Sequence, residues 1–310
     1  MKIIVTGSSS PLAGALLPLF AADERIDQII GLDRSETTFS DSRFTQVLLD
    51  LASPHAARVL AGADALVHLA LAAEPDDAEA APRDAPSAEA FYVGSAQNIF
   101  RAAVEQGVPR LVHLSSAVAY GVPARAQPIG EEHPRAALPG FAWAAHLVAF
   151  EEWLDIHETA HPQTRVIRLR PHLIVGRRAM PAVRTLLRAP FSVRFAGRTP
   201  RLQCVHVDDV AQAILRSLER PDAAGAFNLA CADAAPFAQM QRRAGGGHVP
   251  LPFAAAYQWC RLSRRFGQGA DPDWLEWLRH DVVLDSSRAR RRLDWRPRYD
   301  STEACLRAAD

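Results

Sequence analysis

The clearest chemical signal in this 310-residue chain is a turn of small residues, Gly7 to Gly14, that follows the first apolar run. A glycine-rich turn between a strand and a helix lets backbone N–H groups and the positive end of the helix dipole approach a pyrophosphate. The turn keeps the first glycine of a Gly-x-x-Gly-x-x-Gly pattern, with Ser10 and Ala13 in the other two places. We predict a dinucleotide-binding turn; the alternative is a plain turn in which a serine caps the helix.

An acidic residue, Asp33, ends the second apolar run and is followed by Arg34. A carboxylate at this place suits the two ribose hydroxyls of NAD and repels the additional phosphate of NADP. The guanidinium of Arg34 would accept that phosphate, so NADP remains an alternative. We predict NAD as the cofactor, unless Asp33 is only a solvated turn residue.

The elements that position these residues alternate along the first 230 residues, where short β-branched runs are separated by alanine- and leucine-rich segments of helical period. This alternation is typical of βαβ units and a parallel sheet. We predict strands at about residues 2–6, 27–32, 44–49, 64–70, 109–115, 164–170 and 202–207. We predict helices at about residues 11–22, 53–61, 88–107, 140–160 and 208–219. The expected fold class is α/β, a doubly wound parallel sheet of Rossmann type with a smaller C-terminal substrate region.

Past residue 175 the pattern changes to short helical pieces, at about 181–188, 251–266 and 272–280. We predict a dinucleotide-binding core at residues 1–175, to which 202–230 returns. A smaller substrate-binding region is expected at 176–201 and 231–310. The segment 72–88, rich in Pro, Asp, Glu and Ala, is predicted to be a surface loop and a candidate lid.

The bulk composition, with 48% apolar residues, is typical of an ordinary soluble globular protein with a buried core. With 35 basic and 35 acidic residues, nothing in the charge favours nucleic acid or an anionic membrane. No stretch approaches the roughly 20 apolar residues that span a bilayer, and the N-terminus lacks the regions of a secretory signal, so we expect a cytoplasmic protein. Cys204, Cys231, Cys260 and Cys305 are far apart in the sequence, which predicts reduced, buried thiols and no metal site.

Seven further short blocks follow the turn: Asp50-Leu51, Val67 to Ala70, Val93 to Ser95 with Asn98, His113 to Ser116 with Tyr120-Gly121, Arg168 to Pro171 with Gly176, Val205 to Ala211, and Leu284-Asp285 with Leu293 to Pro297. With these blocks the chain resembles the extended short-chain dehydrogenase/reductases, specifically the NAD-dependent epimerase/dehydratase group. The resemblance covers nearly the whole chain and implies a homodimer formed through helices 88–107 and 140–160. It implies cofactor contacts at Gly7, Ser9, Ser10, Pro11, Leu12, Asp33, Arg34, Asp50, Leu51, Leu69, Ala70 and Pro171.

The resemblance fails at the residues that normally transfer the proton. This family uses a tyrosine and, four residues later, a lysine on the same helix face, where the lysine lowers the tyrosine pKa. The aligned places hold Trp143 and Leu147 here, and a shift of two residues gives Phe141 and Ala145 instead. Because an indole N–H cannot serve as an acid or base, we predict that the usual relay is absent.

Some candidates for chemistry remain. Ser116 stands at the place that bonds the reacting oxygen in this family; its alternative role is a strand-end hydroxyl bonded to the backbone. Tyr120 and His146 are the nearest titratable substitutes in the sequence, although His146 lies about 100° round the helix from Leu147. We therefore predict Ser116, Tyr120 and His146 as catalytic candidates. His172 follows a strand end, where ligands gather in open α/β sheets.

The substrate side differs from that of sugar-nucleotide epimerases. Leu173 replaces an asparagine and Leu202 replaces an arginine that anchor the ligand in those enzymes. With Phe141 and Trp143 nearby, this favours a more hydrophobic ligand or a filled pocket. We predict Trp143, His172 and Leu173 as substrate contacts.

Competing functions therefore stay open. The first is an NAD(P)-binding epimerase/dehydratase-like or oxidoreductase-like enzyme that acts on an apolar carbonyl or hydroxyl compound, with Ser116 and an unusual proton relay. The second is a catalytically inactive dinucleotide-binding protein that senses the cofactor or binds a partner. A scaffold that has lost even cofactor binding is the third, and the changes at Ser10 and Ala13 motivate it.

Overall fold

The computed structural model describes residues 1–70, 88–123, 128–264, 266 and 270–309. Its strands are β1 (Lys2–Thr6), β2 (Gln28–Asp33), β3 (Phe44–Leu48), β4 (Ala65–His68), β5 (Arg110–Leu114), β6 (Arg165–Pro171), β7 (Leu173–Val175), β8 (Phe191–Arg194), β9 (Arg201–Leu202), β10 (Cys204–His206), β11 (Gly225–Leu229), β12 (Ala235–Pro236) and β13 (Val249–Pro252). Its helices are α1 (Ala13–Ala22), α2 (Ala56–Leu60), α3 (Ala88–Glu105), α4 (Ala142–Ala160), α5 (Pro181–Leu187), α6 (Val207–Glu219), α7 (Phe237–Arg243), α8 (Phe253–Arg264), α9 (Asp273–Trp277), α10 (Ser287–Arg292) and α11 (Thr302–Ala308).

The central sheet has seven parallel strands in the order β3-β2-β1-β4-β5-β6-β11. The chain runs outward from β1 to β3 and then returns to place β4 on the other side of β1. This reversal is the topological switch point at which open α/β sheets bind ligands. The predicted doubly wound fold of Rossmann type is therefore confirmed.

Apolar cores cover both faces of the sheet, because neighbouring side chains of a strand point to opposite faces. On β1, Ile4 packs in the same core as Phe100 of α3. Its neighbour Ile3 packs in the other core, with Leu16 of α1. Strands buried on both faces read as continuous apolar runs, which is why β1, β2 and β5 were predicted within one or two residues.

One predicted strand takes a different place. Residues 202–207 were expected in the main sheet, but β10 pairs with β7 in a separate two-stranded sheet. The place beside β6 belongs to β11, whose residues 225–229 include no β-branched side chain and carry no local strand signal. Helix α6 is the crossover connection that brings the chain back so that β11 runs parallel to β6. The pairing therefore depends on how α6 packs on the sheet and not on the local sequence of β11.

The C-terminal region consists of short elements, as predicted. The small sheets β7–β10, β9–β12 and β8–β13 alternate with helices of five to twelve residues. The division into a core and a substrate region stays a prediction.

Residues 72–87 of the candidate lid lie outside the described residues. In the part of the chain that the structure describes, no helix is long and apolar enough to cross a membrane.

Candidate functional site

A cleft of about 390 Å³ opens at the carboxyl ends of β1, β2 and β4. Parallel strands bring the residues that follow them to one edge of the sheet, so turns that are distant in the sequence meet there. The predicted cofactor contacts that line this cleft are Gly7, Ser9, Ser10, Pro11, Asp33, Arg34, Asp50, Leu51, Leu69 and Ala70. Two predicted contacts are placed elsewhere: Leu12 is buried in the core beside α1, and Pro171 lines a second, smaller cavity.

The turn after β1 has the geometry that its first glycine predicts. Gly7 has a positive φ of 72°, and a Cβ there would lie 2.9 Å from the backbone nitrogen of Ala70. Only glycine fits this close approach between the turn and the end of β4. Ser10 Oγ accepts a hydrogen bond from the N–H of Ala13, at 3.3 Å, so the serine in the second glycine position supports the start of α1.

Asp33 connects the turn to the end of β2. Its Oδ2 accepts hydrogen bonds from the backbone N–H and the hydroxyl of Ser9, at 2.8 and 2.7 Å. Its Oδ1 accepts hydrogen bonds from the N–H groups of Arg34 and Ser35, at 2.7 and 3.2 Å. The guanidinium of Arg34 lies 5.4 Å from the ring centroid of Phe91, a cation–π contact across the cleft wall.

Sequence reasoning did not identify Arg178 or the aromatic residues Phe91 and Tyr92 that line the cleft. A Cβ on Gly14 would lie 3.0 Å from Nε of Arg178, so this exposed side chain covers the start of α1. The signal was available, because Arg178 follows the recognised block that ends at Gly176. Phe91 and Tyr92, at the beginning of α3, line the cleft with their ring centroids 5.2 Å apart.

The residues at the tyrosine and lysine places are part of the apolar core. Trp143 and Leu147 are both buried on α4. The Trp143 ring lies 5.5 Å from that of Trp274 and 5.9 Å from that of Phe141. Neither Trp143 nor Leu147 has a group that could exchange a proton near neutral pH. The two positions therefore contribute packing and no acid–base chemistry.

Ser116 lies at the end of β5 in a second cavity that is almost closed, with about 10 Å³ of free volume. Its Oγ accepts a hydrogen bond from the N–H of Val118 at 3.4 Å, and the serine caps the short 3₁₀ helix that follows. The side chains around it are largely apolar: Val118, Trp143, Pro171, Leu173, Ile174, Met180, Val183, Trp274 and Trp277, with Ser115 and His172. The predicted substrate contacts therefore do come together, but in a filled pocket.

Tyr120 does not face either cavity in the described structure. Its hydroxyl donates to Oδ1 of Asn228 at 2.7 Å and accepts from Arg170 at 2.8 Å. Burial raises the pKa of Tyr120 to about 12, against the opposing effect of the Arg170 charge. The phenol is therefore held in a buried network away from both cavities, and a catalytic role for Tyr120 stays a prediction.

The centre of that network is Glu151, which sequence reasoning did not select. Its carboxylate is fully buried, pairs with Arg170, and accepts hydrogen bonds from Ser115 at 2.6 Å and Arg135 at 3.2 Å. Burial raises the pKa of Glu151, but the charge and hydrogen bonds of Arg170 outweigh it and lower the pKa to about 2. The pair joins α4 to β6 beneath the cavity of Ser116.

The two histidine candidates, His146 and His172, are both buried. His146 lines neither cavity among the described residues; its ring lies 5.8 Å from that of Tyr92, and burial lowers its pKa. His172 lines the closed cavity, where Nε2 donates to the carbonyl of Val282 at 3.0 Å and Nδ1 accepts from the N–H of Leu173 at 2.8 Å. Burial lowers the pKa of His172 to about 4, and both of its ring nitrogens are engaged in hydrogen bonds.

Comparison with known proteins adds a family to this geometry. The chain matches the model of the NAD-dependent epimerase/dehydratase family over residues 3–230, whereas no curated protein has a significantly similar sequence. A solved UDP-glucose 4-epimerase of Thermotoga maritima is similar at 16% identity and a TM-score of 0.74, over 99% of this chain and 98% of that one. A UDP-N-acetylglucosamine 4-epimerase of Methanobrevibacter ruminantium is similar at 16% identity and a TM-score of 0.75, over 99% and 96%. A UDP-glucose 4-epimerase of Thermus thermophilus is similar at 18% identity and a TM-score of 0.73, over 99% and 98%.

At these identities the structural neighbours show the fold alone. The family match extends over well more than half of the chain, and it includes the turn, Asp33 and the blocks as far as residue 230. The family match confirms the predicted family and its cofactor NAD. The protein belongs to the NAD-dependent epimerase/dehydratase family.

Proposed function

We propose that the protein is an NAD-binding enzyme of the epimerase/dehydratase type that acts on a carbonyl or hydroxyl compound of apolar character. The observation that carries the proposal is the position of the dinucleotide cleft and the Ser116 hydroxyl at the same edge of one parallel sheet. Ligands gather at this edge in open α/β folds. When bound, the cofactor supplies hydride exchange at its nicotinamide.

The described residues fit a dinucleotide. The positive end of α1 and the Ser10 hydroxyl would bind the pyrophosphate, with the Arg178 guanidinium as a neighbouring positive charge. Asp33 would accept hydrogen bonds from the adenosine ribose, which is the arrangement that favours NAD over NADP. Asp50 and Leu51 would border the adenine, as the family resemblance implies.

Ser116 is the residue of this chain that we assign to the reacting oxygen. Its Oγ already accepts the hydrogen bond from Val118, and a hydroxyl can accept and donate at the same time, so its proton stays available for a substrate oxygen. With Trp143 in place of the tyrosine and the Tyr120 phenol bound to Asn228 and Arg170, we assign the proton exchange to solvent water. This makes a slower reaction than a poised acid–base pair would support, since such a pair contributes roughly 10²- to 10⁴-fold.

The pocket around Ser116 limits the substrate class. Its walls are apolar side chains and its free volume is about 10 Å³, so a ligand must displace an indole to enter. Trp274 and Trp277 both line this wall, and Trp277 Nε1 donates to the carbonyl of Gly121 at 3.0 Å. With Leu173 in the wall, compact apolar aldehydes, ketones and alcohols suit this pocket better than the UDP-sugars named for the structural neighbours.

A steady-state assay tests the proposal. Aliphatic and aromatic carbonyl and hydroxyl compounds, with UDP-glucose as the polar comparison, are incubated with NADH or NAD while nicotinamide absorbance is followed. We expect turnover with apolar compounds and a loss of about tenfold or more in kcat for Ser116→Ala. The variant should keep its NAD affinity, measured by calorimetry, because Ser116 lies outside the dinucleotide cleft. Measurable NAD binding without turnover of any compound contradicts the proposal.

A second candidate function is a catalytically inactive NAD sensor that binds a partner. The observation that favours it is the filled pocket, in which Trp143 and Trp274 pack against each other where a substrate would react. It predicts no turnover, an NAD-dependent association with another protein, and full function of Ser116→Ala. Turnover that depends on Ser116 excludes it.

We also propose that the protein is a homodimer that associates through α3 and α4. Ile156 supports this, because it is a large apolar side chain of α4 that is 73% exposed in the single chain. Sedimentation velocity of the wild type should give a dimer, and Ile156→Glu should shift it to a monomer. A wild-type monomer at micromolar concentration contradicts the proposal.

A further inference from the structure

Three cysteines that lie far apart in the sequence meet in the C-terminal part of the molecule. Cys204 lies on β10, Cys231 follows β11, and Cys305 lies on α11. Their Sγ atoms all lie within 4.8 Å of one another. All three side chains are buried, and none forms a disulfide. The spacing along the sequence predicted buried thiols but gave no sign of this cluster.

The distances suit a shared metal ion. A thiolate binds Zn²⁺ at about 2.3 Å, so sulfurs bound to one ion lie roughly 4 Å apart in tetrahedral or trigonal geometry. Separations of at most 4.8 Å therefore need only a small contraction of the cluster. Three sulfur donors select soft ions such as Zn²⁺, Cd²⁺ or Cu⁺ over Mg²⁺ or Ca²⁺.

Two of the three cysteines donate their thiol protons to backbone carbonyl groups. Cys305 Sγ donates to the carbonyl of Tyr299 at 3.1 Å, and Cys231 Sγ donates to the carbonyl of Asp233 at 3.3 Å. The hydroxyl oxygen of Thr302 lies 3.5 Å from Cys231 Sγ, a neutral oxygen at the edge of the cluster. Metal binding would break these S–H bonds, form metal–sulfur bonds and release the protons to solvent. With a divalent ion, the loss of two or three protons leaves the buried site neutral or with one negative charge.

We propose that Cys204, Cys231 and Cys305 form a binding site for one thiophilic metal ion, separate from the NAD cleft. None of the three lines that cleft. The ion would cross-link β10, the segment after β11 and α11, and so attach the C-terminal helix to the rest of the molecule. This inference does not depend on the proposed enzymatic function.

Cadmium titration of the reduced full-length protein tests the site. We expect ultraviolet thiolate-to-cadmium charge-transfer absorption that saturates at about one ion per chain. Cys305→Ala should weaken cadmium binding by at least about tenfold, because one of three thiolate ligands is lost. Cys260→Ala is the matched control, since Cys260 is also buried and free but lies outside the cluster; it should bind as the wild type does.

Two further measurements keep the test decisive. Circular dichroism and an NAD titration establish that Cys305→Ala is folded; if it is not, X-ray absorption of the zinc-loaded wild type should show three sulfur neighbours at about 2.3 Å. Zinc should also raise the thermal unfolding midpoint of the wild type, because only the folded chain brings the three thiols together and so binds the ion more tightly. The proposal is overturned if the reduced wild type binds no cadmium or if Cys305→Ala binds it equally well. Each of these results would leave the cysteines as small apolar core residues.

Discussion

Ser9 donates two hydrogen bonds to the same carboxylate oxygen of Asp33, from its backbone N–H at 2.8 Å and from its hydroxyl at 2.7 Å. The other oxygen accepts two backbone N–H groups, from Arg34 and Ser35. A carboxylate offers about four lone-pair sites, so all of them are engaged. A ribose hydroxyl must therefore share or replace one donor, and the Ser9 hydroxyl is the one that can rotate away.

The first prediction concerns this carboxylate. Asp33→Asn should weaken NAD binding by roughly tenfold or more, because hydrogen bonds to a charged group contribute about 1.5–3 kcal/mol. The same change should reduce discrimination against NADP, since the negative charge that repels its phosphate is gone. Calorimetric titration with both cofactors measures the two effects.

Ser9→Ala is the matched control for Asp33→Asn. It keeps the backbone hydrogen bond and frees one lone pair of Asp33, so NAD should bind at least as tightly as it does to the wild type. A loss as large as that of Asp33→Asn would show that the Ser9 hydroxyl itself contacts the cofactor, and would contradict our account of the carboxylate.

The second prediction concerns Arg178. Arg178→Gln should lower NAD affinity by roughly two- to fivefold, which corresponds to an exposed charge contribution of about 0.5–1 kcal/mol. Added salt should weaken NAD binding to the wild type more than to the variant, because only the wild type has the attraction between Arg178 and the pyrophosphate that salt screens. Arg177→Gln is the neighbouring control and should leave the affinity within about twofold. Equal behaviour of the two variants would remove Arg178 from the cofactor site.

The third prediction is that restoring the family's pair does not restore its chemistry. Leu147 is fully buried, so the double variant Trp143→Tyr, Leu147→Lys places an ammonium in the apolar core. We expect a loss of about 2–5 kcal/mol in the free energy of unfolding and no gain in turnover. Leu147→Met preserves the volume and should cost less than about 1.5 kcal/mol. Urea unfolding distinguishes these outcomes; a stable double variant would show that position 147 faces open space.

The fourth prediction is a pH dependence of stability. The pKa of Glu151 is lowered to about 2 in the folded chain from an ordinary value of 4.5. A lowered folded pKa stabilises the protein above the unfolded value, and this contribution is lost as the pH falls from about 4.5 towards 2. Glu151→Gln leaves Arg170 buried without its partner, so it should cost about 3–5 kcal/mol near neutral pH and progressively less in acid.

Glu152→Gln is the control for this variant, because Glu152 is the exposed neighbour on the same helix. It should change the unfolding free energy by no more than about 0.5 kcal/mol at either pH. Urea unfolding at neutral pH and near pH 3 gives both differences. A constant difference between the wild type and Glu151→Gln over this range would mean that ionisation of Glu151 does not stabilise the fold.

Local patterns predicted most of the residues that line the cleft, and their contact with NAD stays a prediction. The turn after β1 and Asp33 at the end of β2 are defined by residues that are adjacent in the sequence to their strands. Parallel pairing then brings strand ends to one edge by a general rule, so the cleft needed no further information. Leu12 and Pro171 do not line the cleft, because sequence proximity to the turn or strand end does not show which way a side chain points.

The catalytic half could not be predicted in the same way. Tyr120 was a candidate by its place in a motif, but its hydroxyl bonds Asn228, which is 108 residues away. The closed pocket depends on Trp274 and Trp277, which come from a short helix near the end of the chain. A local sequence pattern does not predict contacts of this kind, because they depend on how elements that are distant in the sequence pack together.

The sequence by itself determined the family, the doubly wound sheet, the cofactor turn and the loss of the tyrosine and lysine. These features follow from strand and helix periods, from turn chemistry and from residue identity at motif positions. Only the tertiary structure decided that β11 completes the sheet, that Glu151 and Arg170 form a buried pair, and that Cys204, Cys231 and Cys305 meet. The physical reason is that hydrogen bonding and side-chain burial between distant segments depend on how whole elements pack, and a linear pattern does not contain that geometry.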